Sequence, residues 1–404
     1  MVESPFDAHL HLRQPGQLLE LVINHAKIGG VETAYVMPNT VPPIRTVEDA
    51  VKYRALLEKL EPNVNFLVSI YLSRSLTTDE IRKAKSFGIT GIKSYPRGVT
   101  TNSKEGIESY EIYYDLFKVM EEEDLILNLH GELPCSDFNS NISVLNAEEK
   151  FLPQLIKIHK NFPKLRVILE HATTRAAVET VKSCGDTVGC TITAHHLTLT
   201  VDDWAGDGLN FCKPVAKLPE DREALREIIR QGHPRFFLGS DSAPHPIDKK
   251  LPNSPNTKCA AGIYTSINLI PLLATIFESA LPPPMATSNL TKYFQDRRKL
   301  SPIPLSRFND FVSKFGRRFY KIKHENLKMI KLIRRRETSE ENLEDYNSSF
   351  KIRESFDYSF DVSKSSSAHF LYETEQEEGV KNYQKTKLIP FWGGKVLNWR
   401  VEES

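Results

Sequence analysis

The stretch Asp7-Ala8-His9-Leu10-His11-Leu12-Arg13 is the first place where residue type and spacing could do chemistry. Alternate side chains of a β-strand share a face, so His9 and His11 would project together while Leu10 and Leu12 pack on the other side. Two neutral imidazoles so placed can chelate one divalent cation. The same alternation also describes an ordinary half-buried strand, so the pair gains meaning only from partners elsewhere.

Several later apolar runs end in residues that packing alone does not require. Gly91-Ile92-Lys93-Ser94-Tyr95-Pro96 carries a lysine at the inner end of a strand pattern. A buried ammonium is costly unless it is paired or chemically changed. Lys93 is therefore either a snorkelling or salt-bridged lysine, or an amine that has taken up carbon dioxide to become an anionic carbamate able to bridge two cations. Leu125–His130 and Arg166–His171 each run into a histidine, and Phe236–Ser240 delivers Asp241, a carboxylate that could both touch a metal and accept a proton from water. Met37-Pro38-Asn39 places an asparagine at the lip of a proline-stopped strand, as a turn residue or a contact. Thr100 and Thr101 lie in a polar, glycine-containing loop that fits either a lid over a polar substrate or a plain flexible connection. Of the twelve histidines, His25, His159, His233, His324 and His369 sit in helical or polar context and read as surface residues. His195 and His196 end a strand, so one of them could face the site, but neither is assigned as a ligand.

These residues need a scaffold that returns strand ends to one place. Between Phe6 and Asp241 short apolar runs alternate with amphipathic segments, the pattern of repeated βα units. Candidate strands are Phe6–Leu12, Thr33–Met37, Asn65–Tyr71, Ile89–Tyr95, Leu125–His130, Arg166–Glu170, Thr191–His195 and Phe236–Ser240. Helical patterns fall between them at Val47–Leu60, Tyr110–Glu122, Ala147–Lys160, Thr173–Val181 and Arg222–Gln231. Eight such strands predict an α/β fold, a (β/α)8 TIM-like barrel whose chemistry lies at the C-terminal ends of its strands.

Composition narrows the function classes. The chain has 404 residues, 40% of them hydrophobic and 26% charged, enough to bury a sizeable core. A net charge of +1 from 53 basic and 52 acidic residues argues against nucleic acid as a partner. Five irregularly spaced cysteines give neither a secreted disulfide framework nor a Cys-x-x-Cys zinc site, which fits a reducing compartment. No apolar run approaches the roughly 18 residues that span a bilayer. With no charged-then-apolar leader before the histidine pair, the expected location is cytoplasmic, away from membranes.

Taken in order, His9-x-His11-x-Arg13, Met37-Pro38-Asn39, Lys93-x-Tyr95-Pro96 followed by Thr100-Thr101-Asn102, His130-Gly131-Glu132, Glu170-His171-x-Thr173 and Gly239-Ser240-Asp241-Ser242-Ala243-Pro244-His245 resemble the amidohydrolase superfamily and, within it, the monofunctional dihydroorotases of bacteria and fungi. Thr193-Ala194-His195-His196-Leu197, Asp202-Asp203-Trp204-Ala205-Gly206 and Phe211-Cys212-Lys213-Pro214-Val215-Ala216-Lys217 resemble the fungal branch. The resemblance is nearly continuous from Phe6 to about Pro271 and returns near Phe311–Tyr320 and Ile389–Val401.

The resemblance implies two zinc ions per subunit bridged by carboxylated Lys93. His9, His11, Lys93 and Asp241 would surround one ion; His130, His171 and the shared carbamate would surround the other. It implies reversible hydrolysis of dihydroorotate to N-carbamoyl-aspartate in pyrimidine synthesis, in which a bridging hydroxide attacks the ring carbonyl and Asp241 is general acid and base. It further implies that Arg13, Asn39 and His245 bind the substrate carboxylate, that Lys213 and Ala261 meet the ring through backbone groups beside His130, and that Thr100 and Thr101 cover it. A homodimer is the family expectation. The readings that compete are a related cyclic amidase acting on hydantoin, dihydropyrimidine or allantoin, and a non-catalytic scaffold of the same fold.

The expected organisation is a single barrel domain over 1–404 with a helical or irregular C-terminal extension. Two stretches depart from the family pattern. Residues 281–305 are rich in proline and hydroxyl groups, and 334–367 combine basic, acidic and serine-rich runs; both read as divergent or partly disordered insertions. The link between Cys184 and Cys190 is short for the fungal branch.

Overall fold

The structure is a computed structural model that describes residues 1–103, 106–135, 141–254, 257–278, 303–322, 327–335, 349, 351–361 and 383–402. Eight parallel strands form one sheet in sequence order: β1 (Phe6–Leu10), β2 (Thr33–Val36), β3 (Asn65–Tyr71), β4 (Gly91–Ser94), β5 (Ile126–His130), β6 (Arg166–Glu170), β7 (Val188–Ile192) and β8 (Phe236–Leu238). Just past β8 the chain turns back onto β1: Asp241 N–H donates to His9 O at 2.9 Å and His11 N–H to Ser242 O at 3.1 Å. These bonds bring the last strand to the first and nearly close a barrel.

Helices cover the strands, and their starts follow local chemistry. The hydroxyls of Thr46 and Thr77 accept from Asp49 and Glu80 N–H, opening α1 (Val47–Leu60) and α2 (Thr78–Ser86). Then come α3 (Tyr114–Glu122) and α4 (Ala147–Asn161). Thr174 caps α5 (Arg175–Ser183) in the same way, and buried Glu148 accepts from the N–H and hydroxyl groups of Thr173 and Thr174. In α6 (Pro219–Gln231) a first-turn proline starts the helix and Gly232, at φ 68°, ends it in the left-handed conformation.

The barrel interior is a packed core rather than a channel. Phe6, Ala8, Tyr35, Met37, Ile126, Ile168 and Phe237 fill it together with Phe315 and Tyr320, which arrive from a helical segment beyond the barrel. Tyr320 sits edge-on to Phe6 at 5.0 Å and accepts a hydrogen bond from Asn128 Nδ2 at 3.1 Å. This plug lies inside the 311–320 stretch where the sequence resemblance resumes.

Two expectations need correction. The seventh strand spans Val188–Ile192 and not Thr191–His195, so His195 and His196 lie in the turn beyond it. Within this strand a Cβ on Gly189 would stand 2.9 Å from the Phe319 ring, so its bareness is what lets the plug pack. His25 is buried, not a surface residue: Tyr264 and Phe356, both remote in sequence, close over it, and its Nδ1 meets the Tyr264 hydroxyl. The loop at Thr100 and Thr101 is folded onto the barrel by hydrogen bonds described below.

Of residues 281–305, all but 303–305 lie outside the described residues, as do His324, His369 and most of 334–367. The described part of the latter includes buried Ile352 and Phe356; the strand Phe356–Asp361 pairs antiparallel with Tyr383–Leu388. That hairpin reaches the barrel rim through the Pro246–Leu388 bridge and through Phe391 N–H, which donates to Tyr264 O at 2.7 Å. No helix among the described residues is long and apolar enough to cross a membrane.

Candidate metal centre and substrate cleft

His9 lies within β1 and His11 one residue beyond it, and their shared face brings the two Nε2 atoms 3.4 Å apart. Asp241 Oδ1 is 3.4 Å from His9 Nε2 and 3.1 Å from His11 Nε2. Ligands bound at about 2.1 Å in a tetrahedron are about 3.4 Å apart, so the three atoms have the spacing of one face of a zinc site. Burial lowers His11 to about 4 and His171 and His130 below their usual range, keeping these imidazoles in the neutral form that offers a lone pair. Burial alone would raise Asp241, but the His11 hydrogen bond and the neighbouring His171 and His9 rings outweigh it and hold the carboxyl well below its usual value.

Lys93, His130 and His171 stand beside this triad, all buried. The His171 ring is 5.0 Å from that of His9 and 4.8 Å from that of His130, and its Nδ1 has no hydrogen-bond partner. Lys93 Nζ also has no partner; it sits 4.7 Å from the centre of the Tyr95 ring. Burial brings this amine down to about 8, although Glu170 and Asp241 pull the other way. An orphaned amine with a lowered pKa beside His130, His171 and Asp241 suits carboxylation and metal bridging better than a salt bridge.

His171 and Asp241 both adopt positive φ, 42° and 46°, at the first residues past the barrel strands or near them. Such backbone is uncommon for residues with a Cβ and is held here by neighbours. His171 N–H donates to Thr191 Oγ1 at 2.7 Å. Buried Asp7 accepts from Ser240 N–H at 2.7 Å and from Ser240 Oγ at 2.6 Å, fixing the turn before Asp241.

Two carboxylates that the sequence motifs contain, Glu170 and Glu132, had no role assigned from sequence. Glu170 Oε2 meets His9 Nδ1 at 2.8 Å and also receives Thr191 Oγ1 and, through Oε1, Asn128 Nδ2, both at 2.6 Å. Glu132 Oε2 meets His130 Nε2 at 2.8 Å. Each fixes one ring nitrogen as a donor and leaves the other as a lone pair, the usual arrangement behind a metal-binding histidine. The available signal was position: Glu170 directly precedes His171, and Glu132 follows His130 by two.

A small cleft opens beside the triad, lined by His11, Arg13, Asn39, Thr100, Thr101, Lys213, Asp241, Ala243, Ala261 and Gly262. Arg13 donates through Nε to Pro244 O at 2.9 Å, and its Nη2 is 2.9 Å from His245 Nε2. His245 Nε2 is also 3.0 Å from Ala261 O. Asn39 Nδ2 donates to Thr101 O at 3.1 Å, Asn102 Nδ2 to Asn39 O at 2.9 Å, and Thr101 Oγ1 to Ala261 O at 3.3 Å. The threonine loop is thus laid across the cleft from Asn39 to Ala261. Buried Lys250, also unforeseen, clasps the far wall by donating to the carbonyls of Phe211, Ala260 and Gly262 at 2.7, 3.0 and 2.7 Å.

Every residue singled out as a ligand or substrate contact therefore gathers at one rim of the barrel. His195 and His196 do not join it. They form a separate buried group with Cys212, and among the described residues this group and the His9, His11 and Asp241 triad are the two that bring three potential ligand atoms within 4.8 Å of one another.

No protein-family model matches the chain. Individual relatives do. A dihydroorotase of Mycosarcoma maydis is 46% identical over 432 aligned residues, covering 100% of this chain and 98% of that protein. The crystal structure of Saccharomyces cerevisiae dihydroorotase in complex with 5-fluoroorotic acid superposes with a TM-score of 0.76 at 37% identity, covering 99% of this chain and 97% of the other. That of Campylobacter jejuni dihydroorotase gives 0.73 at 27%, covering 100% and 97%.

Proposed function

The chain belongs to the dihydroorotase family, and on that premise we propose that its cleft interconverts (S)-dihydroorotate and N-carbamoyl-L-aspartate with the residues named above in specific roles. It is a cyclic amide hydrolase of pyrimidine biosynthesis from a metal-dependent family. The observation that carries the role assignment is that one cleft is lined by Arg13 and Asn39 together with His11 and Asp241.

In this reading His9, His11, Asp241, His130, His171 and carboxylated Lys93 hold two zinc ions. The triad spacing and the orphaned Lys93 amine support that donor set. Bound zinc would lower the pKa of water and polarise the amide carbonyl. Lys93 acquires its carboxylate when the neutral amine attacks carbon dioxide and releases a proton.

Arg13 and Asn39, with His245, take the substrate carboxylate. One His245 nitrogen cannot accept from Arg13 and donate to Ala261 at once, so the Arg13–His245 contact is one that an incoming carboxylate can replace. A guanidinium–carboxylate pair is charge-assisted and selects against neutral rings. Lys213 and Ala261 offer backbone groups to the ring, and Thr100 and Thr101 exclude water above it. Water adds to the ring carbonyl carbon, Asp241 accepts its proton, and as the carbon–nitrogen bond breaks Asp241 returns that proton to the leaving nitrogen. Glu170 and Glu132 keep His9 and His130 in the required tautomers.

We further read the chain as one amidohydrolase barrel domain working as a cytoplasmic homodimer. The test of the function is to give the zinc-loaded protein dihydroorotate, hydantoin and allantoin in parallel and follow loss of each ring, with and without a chelator. Chelator-sensitive turnover confined to dihydroorotate is expected; turnover of a neutral ring in its place overturns the substrate.

A further inference from the structure

Behind the cleft wall, His195, His196 and Cys212 are buried at 0%, 1% and 1% exposure. The two imidazoles come from the turn after β7, and Cys212 from the segment that leads into Lys213. Cys212 Sγ is 3.5 Å from His196 Nε2, and both face the carbonyl oxygen of Pro214, at 3.2 and 3.0 Å. The His195 ring lies 4.4 Å from that of His196, and neither of its nitrogens has a hydrogen-bond partner. Nearly all buried polar side-chain atoms are satisfied, so an imidazole with both nitrogens bare marks a place where something else binds.

We propose that His195, His196 and Cys212, with the Pro214 carbonyl, form a second, structural site for a borderline-soft divalent ion, zinc being the natural occupant. A nitrogen and a sulfur bound to one zinc are about 3.6 Å apart in a tetrahedron, close to the His196–Cys212 separation. Mixed imidazole and thiolate donors suit zinc and exclude hard ions such as magnesium or calcium. Thr193 Oγ1, 2.9 Å from His196 Nδ1, can accept that ring's proton and leave Nε2 as the lone pair. Binding releases the Cys212 thiol proton to solvent. The ion would pin the end of β7 to the segment carrying Lys213, and so hold one wall of the substrate cleft from behind. Without an ion, the Pro214 carbonyl simply receives His196 Nε2–H and Cys212 S–H, and His195 stays unexplained.

Cobalt separates this site from the one in the cleft, whose proposed ligands contain no sulfur. The full-length protein is loaded with Co²⁺ and its absorption and metal content are measured beside Cys212→Ser and His195→Ala. The expected result is a thiolate-to-cobalt charge-transfer band in the near ultraviolet, together with one more equivalent of cobalt than either variant retains. Cys212→Ser should lose the band while the visible bands of the nitrogen and oxygen site persist. His195→Ala, which keeps the thiol, should lose the same equivalent and serves alone if the serine variant does not fold. Visible bands without the near-ultraviolet band in the parent protein overturn the proposal. So does a band that survives in Cys212→Ser, since it would come from another cysteine. Failure of the cleft to take up cobalt would leave the near-ultraviolet band, and its loss in Cys212→Ser, intact.

Discussion

At the histidine end of the cleft, His9 and His130 are each backed by a buried carboxylate, and the turn before Asp241 is fixed by a third, Asp7. At the arginine end, Asn39, Thr101, Asn102 and His245 are tied to one another largely through backbone carbonyls of loops. The first arrangement fixes the identity and tautomer of particular side chains, and a substitution there changes chemistry. The second fixes the position of loops around a space, and a substitution there changes what is held and how tightly. The difference predicts a division of kinetic effects: turnover should respond to the histidine end and substrate affinity to the arginine end.

The sharpest way to break this division is Asp241→Asn, which removes the proton carrier while preserving shape. Turnover should fall by roughly 10²–10⁴-fold with little loss of fold, as read from steady-state rates beside circular dichroism. Near-normal turnover would take Asp241 out of the mechanism. Next in size is Glu170→Gln. Loss of the charge that holds His9 Nδ1–H should weaken metal affinity or activity by about 10–100-fold, measured by competition with a chelator. At the other end, Asn39→Ala should raise KM by about 5–10-fold, the worth of one hydrogen bond, with kcat nearly unchanged. A comparable fall in kcat would show that the two ends are not separable.

The smallest effect is a pH dependence. Only a neutral amine takes up carbon dioxide, and burial brings Lys93 from 10.5 to about 8. The sign follows: in metal-free protein the carbamate fraction should be low at pH 6 and rise as pH passes through about 8, with roughly half the amine neutral there. Carbon-13 NMR of the protein in labelled bicarbonate would follow it, with Lys93→Met as the blank. A signal independent of pH, or one that persists in the methionine variant, would place the carbamate elsewhere or remove it.

The histidine end was far more legible in sequence than the features that support it. His9, His11, Lys93, His130, His171 and Asp241 end apolar runs, and a polar group at such a place stands out because packing does not ask for it. Glu170 and Glu132 sit just as close to strand ends, but their meaning depends on which ring nitrogen each one meets, and that is fixed only by pairing of strands distant in sequence. The seventh strand was placed three residues too late, and only the fold shows Phe319 packed against Gly189 inside it. His25 looked exposed because the groups that cover it, Tyr264 and Phe356, lie more than two hundred residues away. The His195, His196 and Cys212 group shows the same limit: its members are unremarkable singly, and only the fold reveals that His195 lacks partners.

The division between the two ends is tested most directly by steady-state kinetics of Arg13→Ala on dihydroorotate and on hydantoin, beside the parent protein. For dihydroorotate the account predicts a KM raised by about 10–100-fold and a kcat within a few-fold of the parent, as expected for loss of a charge-assisted pair. The preference over hydantoin should shrink by the same factor. An unchanged KM with an unchanged preference would contradict the carboxylate clamp, and a collapse of kcat alone would assign Arg13 to the chemistry of the histidine end.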